Sequence, residues 1–204
     1  MTPALSGVLL GAAIGSIPFA WLLHGIATGR DLRGEGSGNP GATNVRRLDG
    51  RAWGASALAL DAGKGALAVL AAGRLAGEAA CVPAALGAVL GHVFTPWLRG
   101  RGGKGVATAA GAYAVLAPAA TGVAFLVFAL VVAVTRLVSL GSVLGAAALP
   151  IAVSWLSPGG RATSAAAAIA VLVAWRHRGN FARMRAGTEP RLGRRAPGRR
   201  GASR

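Results

Sequence analysis

The chain has 204 residues, 53% of them hydrophobic. With its 32 glycines the apolar share exceeds two-thirds, against roughly 45–50% for an ordinary soluble domain. Only 14% of residues are charged, yet the formal net charge is +16 and the mean hydropathy is +0.54. A soluble globule cannot hide that much apolar surface, and a disordered basic chain does not contain it. One cysteine excludes a disulfide scaffold. The composition specifies a multi-pass membrane protein and argues against a soluble nucleotide-binding enzyme.

The apolar runs, in chain order, are 3–24, 53–74, 79–97, 105–117, 120–135, 138–156 and 162–175. A membrane-spanning helix needs roughly 20 such residues. The first run has no basic segment before it and further spans follow, so it reads as a span and not as a cleaved leader. Gly and Ala dominate several runs, which suits close helix–helix approach inside a bilayer. The stretch 105–135 is either one tilted helix or two short ones broken at Pro118. Charge decides between them. Segment 27–51 holds five basic residues, 98–105 holds three, Arg136 stands alone, and 176–204 holds ten. Seven spans with the N-terminus outside put all of these on the cytoplasmic side, whereas six would set the basic C-terminus opposite the other basic loops. The expected fold is therefore an all-α integral membrane protein with seven transmembrane helices and a cytoplasmic C-terminus. Residues 1–190 form the membrane domain. Residues 191–204 form a disordered basic tail suited to anionic lipid head groups, with no interleaved aromatics to suggest nucleic acid.

Two loops stand out. One runs Gly34-Glu35-Gly36-Ser37-Gly38-Asn39-Pro40-Gly41-Ala42-Thr43-Asn44 and continues to Arg46 and Arg47. The other runs Arg99-Gly100-Arg101-Gly102-Gly103-Lys104-Gly105-Val106-Ala107-Thr108. Each sets bare backbone amides beside cations. Consecutive glycine-rich amides form an anion nest, and a following helix N-terminus adds its dipole. Either loop alone reads equally well as flexible or anchoring. Both on one membrane face, with Ser, Thr, Asn and Lys included, point to phosphate handling. Gly36-x-Gly38-x-x-Gly41 matches a dinucleotide fingerprint but lacks the strand that must precede it. Gly103-Lys104 resembles the end of a P-loop, but the required outer positions are Leu98 and Gly105.

Asp61 and Lys64 lie within the second run at i,i+3, one helix face, and read either as a structural ion pair or as a pair whose Lys64 adds to the basic field of a site. His24 is expected at the membrane interface. His92 is expected to pack between helices on a backbone partner. His177, flanked by Arg176 and Arg178, is expected to be neutral. The three histidines are not spaced for a metal site.

These residues resemble a family. Gly15-Ser16-Ile17-Pro18, Gly36 to Asn44, Asp61-x-x-Lys64-Gly65, Gly91-His92-x-Phe94, Gly102 to Thr108, Val138-Ser139-Leu140, Arg176-His177-x-x-Asn180 and Gly187-Thr188-Glu189 are similar, in order, to the bacterial acyl-phosphate:glycerol-3-phosphate acyltransferases. The resemblance covers about residues 11–194. It implies a bacterial inner-membrane enzyme of phospholipid biosynthesis, with its site on the cytoplasmic face and no cofactor or metal. Its substrates are acyl-phosphate and glycerol 3-phosphate, and its products are lysophosphatidic acid and phosphate. It implies that Ser37, Arg47, Lys104, His177 and Asn180 are catalytic. Ser37, Gly38, Gly41, Thr43, Asn44, Gly102, Gly103, Lys104 and Gly105 would hold acyl-phosphate. Arg47, Lys104, His177 and Asn180 would hold glycerol 3-phosphate, with Ser139 and Ser142 as weaker candidates. A monomer is expected, working near the enzyme that makes acyl-phosphate. Arg101 stands where that family often has Lys. The His-x-x-x-x-Asp chemistry of other glycerolipid acyltransferases is absent: Gly29, Trp97 and Ala182 follow the three histidines at that spacing. The competing reading is a small transporter of anions or phosphate esters. It predicts several mid-span polar residues and often an internal repeat. The sequence offers only Asp61 and Lys64 within a span and no repeat.

Overall fold

The computed structural model describes residues 1–157 and 160–193. Most of the expected basic tail, residues 194–204, lies outside the described residues. The described chain is helical throughout, with ten α-helices. They are α1 (Pro3–Gly15), α2 (Phe19–Thr28), α3 (Ala42–Leu48), α4 (Arg51–Ala76), α5 (Cys81–Val93), α6 (Val106–Leu116), α7 (Pro118–Thr135), α8 (Val138–Leu156), α9 (Gly160–Arg176) and α10 (Arg178–Arg185). Five stretches are long and apolar enough to cross a membrane: Pro3–Thr28, Arg51–Ala76, Glu78–Leu98, Pro118–Thr135 and Val138–Leu156. α6, with 11 residues, is about 16 Å long, half of a hydrocarbon core.

The first apolar run is not one helix. Pro18 has no amide and disfavours helical geometry at the residue before it, so α1 stops and α2 starts afresh. The break exposes carbonyls that a bilayer cannot solvate. Other helices supply the donors. Thr95 Oγ1 donates to Ser16 O and Lys64 Nζ donates to Ile17 O, each at 2.6 Å. Trp97 Nε1 donates to Ser16 Oγ at 3.1 Å.

The 105–135 stretch is two helices, separated at Ala117, whose backbone is not helical. Pro118 takes the first helical position of α7, where its missing amide is no loss. α7 consequently has 18 residues and is longer than the run read from sequence.

Packing follows from small residues, because apolar surface gains little by leaving lipid for protein. Gly7, Gly11 and Gly15 of α1 lie on the backbone of Ala80, Ala84 and Ala88, and Gly87 and Gly91 return the contact. A methyl at Gly11 would fall on the Ala84 carbonyl. Gly65 of α4 and Gly111 of α6 bring those two helices equally close. Val69, Val89, Val93, Tyr113, Leu149, Val153, Ile169 and Val173 fill the centre between α4, α5, α6, α8 and α9. Tyr113 lies there with its hydroxyl donating to Ala162 O at 2.8 Å. The ends of α2, α5 and α9 then bring the two glycine-rich loops and α10 together.

Candidate active site

The first loop is closed at its base by two buried side chains. His24 Nδ1 and Asp49 Oδ2 stand 2.7 Å apart, joining the end of α2 to the end of α3. His24 is fully buried near the end of α2, where the pair ties the neck of the chain between residues 28 and 51. Inside the loop Asn44 is the key. Its Oδ1 accepts the Ser37 amide and its Nδ2 donates to Glu35 O, each at 3.0 Å. Gly36 and Gly38 take left-handed backbone to allow this turn. The amides of Gly38 and Gly41 donate to Glu35 O and Asn39 O, both at 2.9 Å. The first loop is therefore only in part a set of bare amides: those of Ser37, Gly38 and Gly41 are taken within it, while those of Gly36, Asn39, Ala42 and Thr43 have no acceptor among the described residues. Asn44, 1% exposed, shapes the loop from within. The exposed Ser37, Thr43 and Arg47 are the groups it offers outward.

The second loop is tied at its start and open beyond it. Gly100 N donates to Thr95 O and Gly102 N to Val93 O, which pins the loop to the end of α5. Arg176 Nη2 donates to Gly102 O at 2.8 Å from α9. From Gly103 to Thr108, no amide has an acceptor among the described residues. Gly105 caps α6 at φ 84°, a left-handed conformation that a side chain resists. Three free loop amides, Gly103 to Gly105, thus run directly into the free first-turn amides and positive end of an 11-residue helix. Lys104 stands among them.

The third wall is the corner of α9 and α10. His177 is 2% exposed, and its Nδ1 donates to Val173 O at 2.7 Å. Burial and the nearby Lys104 charge push its pKa down to about 4, so the ring is neutral with its lone pair on Nε2. Lys104 Nζ donates to Asn180 Oδ1 at 2.5 Å. Burial pushes the Lys104 ammonium down to about 8, against the pull of Glu189. Asn180 Nδ2 donates to Glu189 Oε1 at 2.7 Å, and Arg183 Nε donates to Glu189 Oε2 at 2.8 Å. Burial works to raise the Glu189 carboxyl, but the hydrogen bonds from Asn180 and Arg183 and the nearby Ser139 hydroxyl prevail and hold it below the usual range. Arg47 is lowered by desolvation of its guanidinium, and Glu189 acts on it in the other sense, which brings the first loop into the same field.

A model of the glycerol-3-phosphate acyltransferase family matches residues 5–187. The chain belongs to the glycerol-3-phosphate acyltransferase family. A glycerol-3-phosphate acyltransferase of Myxococcus xanthus is 50% identical over 197 residues, covering 94% of this chain and 100% of that one. One from Desulforamulus reducens is 43% identical over 188 residues, covering 91% and 94%. The crystal structure of PlsY, an integral membrane glycerol 3-phosphate acyltransferase, in its glycerol 3-phosphate form, superposes with a TM-score of 0.86 at 34% identity. It covers 93% of this chain and 96% of that one. The lysophosphatidic acid form of PlsY gives 0.83 at 33% identity, covering 93% and 95%. This chain is thus an acyltransferase of phospholipid synthesis and an integral membrane protein, and the transporter reading is set aside.

In this acyltransferase, Lys104, His177 and Asn180 form one cluster, with Arg47 at its edge. Ser142 is turned back on its own helix, donating to Val138 O at 2.8 Å. Ser139 stands by Glu189. Sequence reasoning did not give site roles to Glu189, Arg183 and Arg176. The signal for Glu189 was present. It is the only carboxylate after Glu78, in a segment otherwise rich in arginine.

Proposed function

We propose that this acyltransferase moves a fatty acyl group from acyl-phosphate to the 1-hydroxyl of sn-glycerol 3-phosphate. The products are 1-acyl-glycerol 3-phosphate (lysophosphatidic acid) and inorganic phosphate. It works in the bacterial cytoplasmic membrane as a monomer with seven spans, its N-terminus outside and its loops and C-terminus on the cytoplasmic side. It uses no cofactor or metal. An enzyme that makes acyl-phosphate supplies the donor nearby.

The observation that carries this reading is the open run of amides from Gly103 to Thr108 beside Lys104. Two phosphates need such donors, and a fatty donor needs them at a membrane. Gly102, Gly103, Lys104 and Gly105 hold the acyl-phosphate head, with Ser37, Gly38, Gly41, Thr43 and Asn44 forming the facing loop. Arg47, Lys104, His177 and Asn180 hold glycerol 3-phosphate. The substrate hydroxyl attacks the acyl carbonyl. The new C–O ester bond forms as the bond to the phosphate oxygen breaks. Phosphate leaves, and the hydroxyl proton passes to a substrate phosphate oxygen. Lys104 and the amides meet the charge that gathers on carbonyl and leaving group. Catalysis is then chiefly positioning of an already activated donor.

The test is phosphate release by the purified protein in detergent, where no transport is possible. Release from acyl-phosphate that depends on glycerol 3-phosphate supports the reading. Activity only with an acyl thioester donor refutes it.

A further inference from the structure

His92 has no part in the site described above, yet it lies directly behind it. It is 7% exposed near the end of α5. A Cβ built on Gly103 would strike the imidazole at Nε2, Cε1 and Cδ2, so this edge of the ring rests against the Gly103 backbone. On the other edge, Nδ1 is 3.7 Å from Asp61 Oδ1 of α4. That is too long for a hydrogen bond but close enough for the carboxylate to orient the ring. Asp61 is itself fixed. Lys64 Nζ stands 2.8 Å from its Oδ1 and donates to Ile17 O at the α1–α2 break. The ring is thus backed by α4 and, through Lys64, by α1. The same end of α5 receives the rest of the loop: Gly102 N donates to Val93 O, and a Cβ at Gly105 would press on Val89 and Val93.

We propose that His92, oriented by the Asp61–Lys64 pair, is a positioning residue for acyl transfer: its ring is the wedge that sets Gly103, and with it the open amides of residues 103–108, at the height where they receive the donor phosphate. The inference rests on the reading of the second loop as the acyl-phosphate seat. It explains three features at once. Gly103 must be glycine because the ring occupies the place of its side chain. A charged pair deep in a membrane helix is otherwise expensive. His92 has a carboxylate beside it where a backbone partner was expected.

The experiment uses the full-length protein in detergent, with acyl-phosphate varied at saturating glycerol 3-phosphate. Wild-type turnover tests the donor reading, and the variants test the wedge, so the two fail separately. His92→Ala is expected to raise the KM for acyl-phosphate at least tenfold and to change kcat less than threefold. His92→Gln should recover much of that KM. Gly103→Ala should lose at least 100-fold in kcat/KM. The double variant His92→Ala/Gly103→Ala should be at least tenfold better than Gly103→Ala alone, because the missing ring leaves room for the new methyl. If His92→Ala is not recovered folded, His92→Asn replaces it in both roles. A merely structural histidine would lower the melting temperature but move neither the KM alone nor this non-additivity. The proposal is overturned by a double variant no better than Gly103→Ala, by Gly103→Ala at wild-type activity, or by a His92 variant whose kinetic constants are unchanged.

Discussion

Glu189 fixes which way Asn180 faces. The Asn180 Nδ2 group donates to Glu189 Oε1 at 2.7 Å, so the amide oxygen is the end left for Lys104. A carboxylate accepts on both oxygens and here takes Asn180 on one and Arg183 on the other. Glutamine at this position can accept on one side only. Its amine then meets a donor on the other.

The first prediction follows. Glu189→Gln should lower kcat/KM about 100-fold, equal to about 2.7 kcal/mol of transition-state stabilisation. It should also lower the melting temperature, because buried partners are left unsatisfied. Kinetics and thermal unfolding of the purified variant check both. Unchanged kcat/KM would show that the Asn180 orientation does not matter.

The second prediction concerns the cations. Lys104→Ala and Arg47→Ala should each lose roughly 2–4 kcal/mol of transition-state stabilisation, the scale for one electrostatic donor. Arg47→Lys should recover only part of the loss, since a planar fork becomes a point charge. Arg74→Ala, exposed in the last turn of α4, is the control. An equal loss there would trace the effect to membrane anchoring and not to the site.

These variants also mark what was legible from the residues alone. The five membrane-length stretches are readable because span length is a property of composition. The broken first helix was not expected, although Pro18 marked it, because apolar periodicity continues through the break. Lys104, His177 and Asn180 are legible through the resemblance to the family's motifs, and a motif carries over to space where its segment is held by packed helices. The amides were misjudged. Both loops look alike in composition, but Asn44 takes the Ser37 amide in the first, whereas among the described residues no side chain takes an amide from Gly103 to Thr108 in the second. That difference depends on a side-chain bond across seven residues. His24 and His92 were assigned by their place along a helix. Their partners, Asp49 and Asp61, come from other elements and could not be paired by sequence.

The third prediction is a pH profile. The Lys104 ammonium, with a pKa pushed down to about 8 by burial, is charged below that pH and neutral above it. The kcat/KM profile, which reports the free enzyme, should therefore fall on the alkaline side with a midpoint near 8. Lys104→Arg should abolish that limb, because arginine stays charged, and should lower the plateau. Asn180→Asp should move it upward by setting a negative charge against the ammonium. The linkage to stability runs the same way as the shift. The folded pKa is below the unfolded one, so the folded chain holds the proton less tightly, and folding stability should rise with pH between about 8 and 10.5. His177, pushed to about 4, should give no limb near pH 6.5.

The last prediction is that no covalent acyl-enzyme forms. An acyl-phosphate is a mixed anhydride with a good leaving group, so the protein need not divide the reaction with a nucleophile of its own. The side chains agree. Ser37 is exposed on the first loop, and its amide is held by Asn44. The two histidines with a carboxylate beside them are His24 and His92. His24 holds its carboxylate across the neck of that loop, and His92 lies behind the second loop against Gly103. His177 turns its Nδ1 to the Val173 carbonyl and has no carboxylate bonded to it among the described residues, so it lacks the orienting third group of an activated-nucleophile site. Cys81 begins α5, at the end of that helix opposite the loop at Gly102. Cys81→Ala should keep near-normal activity. Radiolabelled acyl-phosphate without glycerol 3-phosphate should leave no stable label on the protein. Initial-rate patterns with both substrates varied should intersect. Parallel lines together with a trapped acylated serine would overturn direct transfer, and would move the catalytic burden from the Gly103–Thr108 amides to that serine.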